Sequence, residues 1–370
     1  MTKLDTLYLE YGQSAWVDNI RRDWLNDGTL QNLVDRGVRG VTSNPSIFAK
    51  AVASTDAYDA LIASLSTTDP EIAFEQLAVE DVRDACAILG PVYDASLRAQ
   101  SSGERRSLDG YVSLEVSPRL AHDTDGTIAA AKRLASTLST SPNLMIKIPA
   151  TKAGLPAISA VLALGINVNV TLIFSLERYS EVLEAFVEGI ERAHAAGIDV
   201  SKIASVASFF ISRVDTAIDP MLPEGSQLRG YAAVAQAARA YDIFQTRIAT
   251  PRFRSILELG AQVQRPLWAS TSTKNPAYSD LLYVDTLVAN DTVNTLPDPT
   301  LEAYADHGDA NNSQLLAESA RRELGNKLDQ LSDAGIDLAA VTQRLEDEGV
   351  AAFISSYDEL LSTVTQKLRG

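Results

Sequence analysis

Lys147 stands alone among apolar neighbours in the run Asn143-Leu144-Met145-Ile146-Lys147-Ile148-Pro149-Ala150-Thr151. The run has the composition of a buried strand, where an ammonium is costly. Either the lysine meets an opposite charge there or its pKa falls. A lysine that sheds its proton near neutral pH is a nucleophile for carbonyl carbon and forms a Schiff base. Asp18, Glu115 and Thr171 stand at the ends of short apolar or alternating runs of the same kind. A lysine with two carboxylates is equipped for imine chemistry, which needs proton carriers. The same charges also fit a buried structural ion-pair network of Asp18, Glu115 and Lys147. Residue type alone leaves both readings open.

These residues must be positioned by strands. Short apolar or alternating runs at 15–18, 40–42, 111–116, 144–149, 167–174, 203–210, 266–270 and 292–295 alternate with helical patterns such as 127–138, 176–196, 228–247 and 275–287. Strand–helix alternation implies an α/β fold with a parallel sheet and crossover helices. Eight strands fit a closed (β/α)8 TIM barrel, which needs about 250 residues. The remainder fits a helical insertion at 56–102, before the third strand, and a helical C-terminal tail at 299–368. No linker rich in Pro, Gly or Ser and no repeat divides the chain, so residues 1–370 read as a single catalytic domain. An open doubly wound sheet would place a glycine-rich phosphate loop after its first strand. Here that strand ends in Trp16-Val17-Asp18-Asn19-Ile20, without such glycines.

Strand parity then orients the side chains. Asn143, Met145, Lys147 and Pro149 share one face, as do Tyr111, Ser113 and Glu115, and Asn167, Asn169 and Thr171. Each opposite face is wholly aliphatic and belongs under the helices. The polar faces point into the barrel, and Asp18, Glu115, Lys147 and Thr171 converge at the carboxyl ends of the strands, where barrels do their chemistry.

The chain has 370 residues, 46% hydrophobic, and a net charge of −16, which argues against a nucleic-acid or anionic-membrane surface. A phosphorylated small molecule remains compatible, because local donors and one arginine bind it against the global field. Cys86 is the only cysteine, so no intramolecular disulfide or thiol-rich metal site forms. The N-terminus lacks the apolar core of a signal peptide and no stretch approaches a transmembrane span, so a cytoplasmic protein is expected.

Five segments together carry a family likeness. Residues 40–48 (GVTSNPSIF), 113–120 (SLEVSPRL), 145–151 (MIKIPAT) and 169–175 (NVTLIFS) resemble, in order, the signature segments of transaldolases, which are class I Schiff-base barrel enzymes. Residues 268–276 (WASTSTKNP) resemble the long bacterial form. The resemblance implies that Lys147 forms the Schiff base, that Asp18 is the acid/base for carbon–carbon cleavage, that Glu115 is a second proton carrier and that Thr171 holds a catalytic water. It implies that Asn44 and Asn169 bind substrate hydroxyls and that Arg213 and Ser208 contact a phosphate. Phe210 and Glu115 resemble transaldolases, whereas aldolase relatives tend to carry tyrosine and glutamine there. The remaining phosphate contacts transfer poorly, with Arg252, Arg254 and Ser270 as candidates.

The implied reaction is transfer of a dihydroxyacetone unit from sedoheptulose 7-phosphate to glyceraldehyde 3-phosphate, in the non-oxidative pentose phosphate pathway. A fructose 6-phosphate aldolase on the same scaffold is the alternative enzyme, and a barrel that binds sugar phosphates without catalysis is a third reading. No metal or cofactor is implied, and the partners expected are small phosphorylated sugars. Monomer and homo-oligomer both remain open. His122, His194 and His307 read as surface or helix-end residues. Lys152 and Lys274 lie in motifs just outside strands, where a solvated role and phosphate binding are equally compatible. Trp16 and Phe209 are expected to shape the mouth or fill the core.

Overall fold

The computed structural model describes residues 1–102 and 107–369. Its strands are β1 (Gln13–Val17), β2 (Gly40–Val41), β3 (Tyr111–Glu115), β4 (Leu144–Pro149), β5 (Val168–Ile173), β6 (Ser205–Phe210), β7 (Gln264–Ala269) and β8 (Thr292–Leu296). All neighbours pair in parallel, and the order β1 to β8 closes on itself as a (β/α)8 barrel. Val112, Leu114, Ile146, Ile148, Val168 and Val170 are buried, as expected of the aliphatic faces under the helices. In register, Glu115 lies opposite Lys147, and Lys147 opposite Asn169. Three of the expected polar residues are thus side by side on adjacent strands.

Asn143 and Asn167 depart from the expected inward face. Both precede their strands. Asn143 donates to the Cys86 and Gly110 carbonyls, and Asn167 to those of Pro142 and Leu144, which ties neighbouring backbones together. The register of β5 also shifts between Val170 and Ile173, with Leu172 at φ 59°, just beyond Thr171.

The helical pattern at 275–287 yields a helix only at Leu282–Thr286. Pro276 disfavours helical backbone at Asn275, and the Asn275 side chain instead accepts the Ala277 N–H in a turn. The pattern at 228–247 starts late, at Ala232, because Gly230 adopts φ 74° and donates its N–H to Asp219. The helix Thr124–Thr137 starts earlier than its apolar period, because Asp123 caps it through the Gly126 N–H. Leu176–Ala195 follows its pattern and is capped by Ser175. The insertion before β3 forms helices Asp59–Ser64 and Pro70–Ser101, and the tail forms Asp298–His307, Glu318–Asp333 and Leu338–Arg369.

The two ends of the barrel are finished differently. At the amino ends of the strands, Asp109 accepts hydrogen bonds from Ser14 Oγ, Trp16 Nε1 (2.8 Å), Arg39 Nε (3.1 Å) and Arg265 Nη2 (3.4 Å). Trp16 therefore serves this plug rather than the mouth. At the carboxyl ends, the C-terminal helix Leu338–Arg369 packs on the helices Pro45–Ser54, Pro70–Ser101 and Ser212–Ile218. No helix among the described residues is long and apolar enough to cross a membrane.

Candidate active site

A cavity of about 490 Å³ opens at the carboxyl ends of the strands. Asp18, Lys147 and Thr171 line it, with Thr42 and Thr295 beside them. Lys147 is 5% exposed; its Nζ donates to the Ser43 carbonyl at 2.9 Å and lies 3.2 Å from Glu115 Oε2. Of the two ways to tolerate the buried amine, the structure supplies the opposite charge. The contact with Glu115 is an ion pair without directed hydrogen-bond geometry, and neither Glu115 oxygen has a hydrogen-bond partner. Thr171 Oγ1 is likewise buried and unpartnered.

Both carboxyls are pushed above the usual range. For Asp18 the first cause is burial, opposed by the Lys147 charge and by the Thr42 hydroxyl, which donates at 2.7 Å. For Glu115 burial again leads; Lys147 opposes it and Asp18 adds to it. Enclosure thus makes each carboxyl readier to hold a proton. Glu115 does not line the main cavity; it reaches Lys147 from the side and borders a second space of about 70 Å³.

The expected substrate-binding residues divide. Asn44 lines the cavity while its Oδ1 caps the helix Pro45–Ser54 by accepting the Ile47 N–H at 3.0 Å. Ser208, Phe210 and Arg213 also line it. Asn169 does not: it is fully buried, donates to Ser113 Oγ at 3.0 Å and accepts from Ser208 Oγ at 2.7 Å. It braces the wall rather than reaching the open space.

Ser270 is in the wall, at φ 57° and 3.0 Å from Ser212 Oγ. Arg252 is elsewhere, on the outer surface, where it pairs with Glu184 and Glu191 of the helix Leu176–Ala195. Arg254 is exposed and outside the cavity lining. His122, His194, His307 and Lys152 are exposed, and none lines the cavity. Phe209 is core, edge-on to Tyr179 and Trp268.

Lys50, Arg213 and Lys274 make the rim cationic. No carboxylate among the described residues lies within ion-pairing distance of any of them, although the chain is strongly acidic. Burial holds the Arg213 guanidinium below its usual range, with Glu348 partly countering. Partial burial, then the charges of Arg213 and Lys50, lower the Lys274 amine. Three neighbouring cations with no carboxylate in ion-pair contact among the described residues fit a polyanionic ligand such as a phosphate monoester.

Lys50 escaped the sequence reading, although it follows Ser46 and Ile47 at helical spacing on the first helix after the Asn44 cap. Phe353, also unforeseen, lies on the last helix, and nothing local in its sequence points to the cavity. No group of three His, Cys, Asp or Glu side chains among the described residues is placed to hold a metal ion.

A closed barrel with a buried lysine paired to Glu115 and sharing its cavity with Asp18, under a cationic rim, defines a lysine-centred (β/α)8 barrel as the class. The chain matches the family model described as Transaldolase/Fructose-6-phosphate aldolase over residues 15–364. It is 47% identical over 367 residues to a protein named Transaldolase from Parafrankia sp. (strain EAN1pec), covering 96% of each chain. It is 49% identical over 365 residues to Transaldolase of Mycolicibacterium smegmatis, covering 96% of this chain and 95% of that one. It is also 49% identical over 366 residues to Transaldolase of Mycobacterium leprae (strain TN), covering 96% and 94%. The chain belongs to the transaldolase/fructose-6-phosphate aldolase family, and it is an enzyme of the transaldolase kind, a transferase.

Proposed function

We propose that the enzyme transfers a dihydroxyacetone unit from sedoheptulose 7-phosphate to glyceraldehyde 3-phosphate, giving erythrose 4-phosphate and fructose 6-phosphate, through a Schiff base on Lys147. The observation that carries this reading is the buried Lys147 amine, 3.2 Å from Glu115 and sharing its cavity with Asp18, beneath the unpaired cations Lys50, Arg213 and Lys274.

The ketose enters with its phosphate on the rim cations and its C2 carbonyl at Nζ. Lys147 gives up a proton before attack, and the Glu115 carboxylate is the nearest acceptor. Nζ adds to C2, and the carbinolamine loses water to give a protonated imine. Glu115 carries the protons of these steps, with a water on the otherwise unpartnered Thr171 hydroxyl as relay. Asp18 then takes the C4 hydroxyl proton. The C3–C4 bond breaks, its electrons pass into the iminium, and an aldose phosphate departs.

The three-carbon unit stays on Lys147 as an enamine. Its nucleophilic carbon attacks the acceptor aldehyde, Asp18 returns its proton to the new hydroxyl, and hydrolysis of the imine frees the product ketose. The raised carboxyls of Asp18 and Glu115 suit groups that must gain and lose protons in turn. Asn44 offers its amide N–H groups to substrate hydroxyls, since its Oδ1 is committed to the helix cap. Small phosphorylated sugars are then the partners, and the non-oxidative pentose phosphate pathway is the setting.

Product analysis with and without acceptor tests the transfer. With both substrates, fructose 6-phosphate and erythrose 4-phosphate should form together. Free dihydroxyacetone as the main product without acceptor would favour the aldolase activity instead.

A further inference from the structure

Two aromatic rings line the cavity among the described residues, Phe210 and Phe353. Phe210 sits by the rim, with the Arg213 guanidinium 5.5 Å from its ring centroid. Phe353 faces the reacting end: Lys147 Nζ lies 5.7 Å from its centroid, and the residue is 5% exposed. It comes from the C-terminal helix, more than two hundred residues beyond the lysine in the chain.

That helix is fastened on both sides of the ring. Two turns before Phe353, Glu346 pairs with Arg178 at 3.3 Å. One turn before it, a Cβ on Gly349 would stand 3.2 Å from Leu172 Cδ2 and 3.4 Å from Phe174, so glycine allows the helix to close on β5. Beyond the ring, Ser356 accepts from Ser46 at 2.7 Å and Asp358 from Arg119 at 2.7 Å. The helix also ends with Lys367 paired to Asp59 at 2.5 Å. Four side-chain contacts and the close approach at Gly349 set this ring near the Lys147 amine.

The enamine on Lys147 has two fates. Attack of its carbon on an acceptor aldehyde gives transfer. Protonation of the same carbon by a solvent-derived acid gives the dihydroxyacetone imine. One water then adds to that imine, releases free dihydroxyacetone and restores the amine. Glu115 and Thr171 already serve the water used in imine formation and hydrolysis, and Phe353, which carries no polar group, takes no part in those steps. The step it would suppress is carbon protonation, which transfer does not share. We propose that Phe353 is a specificity-determining residue that shields the Lys147 adduct from solvent and so favours transfer over release; this rests on the Schiff-base reading above.

The test uses the full chain carrying Phe353→Ala or Phe353→Leu, each checked for native circular dichroism. Release of dihydroxyacetone from fructose 6-phosphate alone is measured against transfer to erythrose 4-phosphate. The ratio of release to transfer should rise about tenfold in Phe353→Ala and less in Phe353→Leu. If Phe353→Ala does not fold, the rise in Phe353→Leu decides. A purely structural ring would lower both rates together, and an unchanged ratio in the folded variants overturns the proposal. Borohydride reduction of the same mixtures separates the two readings. A three-carbon adduct on Lys147 with an unchanged ratio sinks the role of Phe353 alone, whereas no adduct in the wild type removes the Schiff base beneath it.

Discussion

The barrel holds a buried charge cluster at each end, and the two are built on opposite plans. At the amino ends, one carboxylate, Asp109, meets two guanidiniums, an indole N–H and a hydroxyl, and Arg265 also donates to Ser14 Oγ and the Leu108 carbonyl. At the carboxyl ends, one ammonium pairs with one carboxylate, Glu115, while Asp18 shares its cavity, and Glu115 and Thr171 keep oxygens without hydrogen-bond partners. Strand β1 serves both: Ser14 and Trp16 enter the plug, and Asp18, two residues on, enters the cavity. A saturated cluster fixes the sheet. An unsaturated one stores acid–base capacity beside open space, at a cost in stability. The ion-pair network that the sequence allows at Lys147 has its structural counterpart at the other end.

The largest contrast comes from deleting the centre of each cluster. Lys147→Ala should lower kcat about a thousandfold or more while the melting temperature holds or rises, because a buried amine is removed. Asp109→Ala should leave Arg265 buried without its anion and destabilise the fold by about 3–5 kcal/mol, read by denaturant unfolding. Equal thermal losses in the two variants would erase the distinction between the ends.

Asp18→Ala is the next in size. Borohydride should still trap the imine, while single-turnover cleavage slows by about 10²–10⁴-fold. Loss of trapping to the same extent would move Asp18 into imine formation. At the rim, Arg213→Ala should raise KM for phosphorylated substrates about ten- to a hundredfold with less change in kcat. Arg252→Ala, on the outer helix, should leave KM as it is, and a matching rise there would misplace the phosphate.

The smallest effect is on pH-dependent stability. Burial raises the folded-state pKa of Asp18 above its unfolded value, so the native state binds the proton more tightly. That contribution is fully present below the unfolded pKa of about 4 and is lost as pH rises through the folded pKa. Asp18→Asn should therefore be more stable than wild type at pH 7, with the gain shrinking as pH falls toward about 4. Parallel stability curves would contradict the sign.

What the sequence made legible follows from local periodicity. Alternation around Glu115, Lys147 and Thr171 identifies their strands and their shared face, and the register places Glu115 beside Lys147. Cap chemistry escapes a reading by period alone: Asn44 before Pro45 starts a helix, and Asn275 before Pro276 breaks a pattern that period extends. Non-local pairing was not legible. Arg252 sits in an attractive stretch but is claimed by Glu184 and Glu191, and Asn169 turns its amide toward Ser113 and Ser208. Phe353 reaches the lysine only because the last helix crosses the mouth, and no spacing in the chain encodes that crossing.

Borohydride reduction of the wild-type enzyme with fructose 6-phosphate, followed by peptide mass mapping, tests the central claim most directly. A single three-carbon adduct should appear on the peptide bearing Lys147 and vanish in Lys147→Ala. No adduct, or an adduct on Lys50 or Lys274 instead, would contradict it.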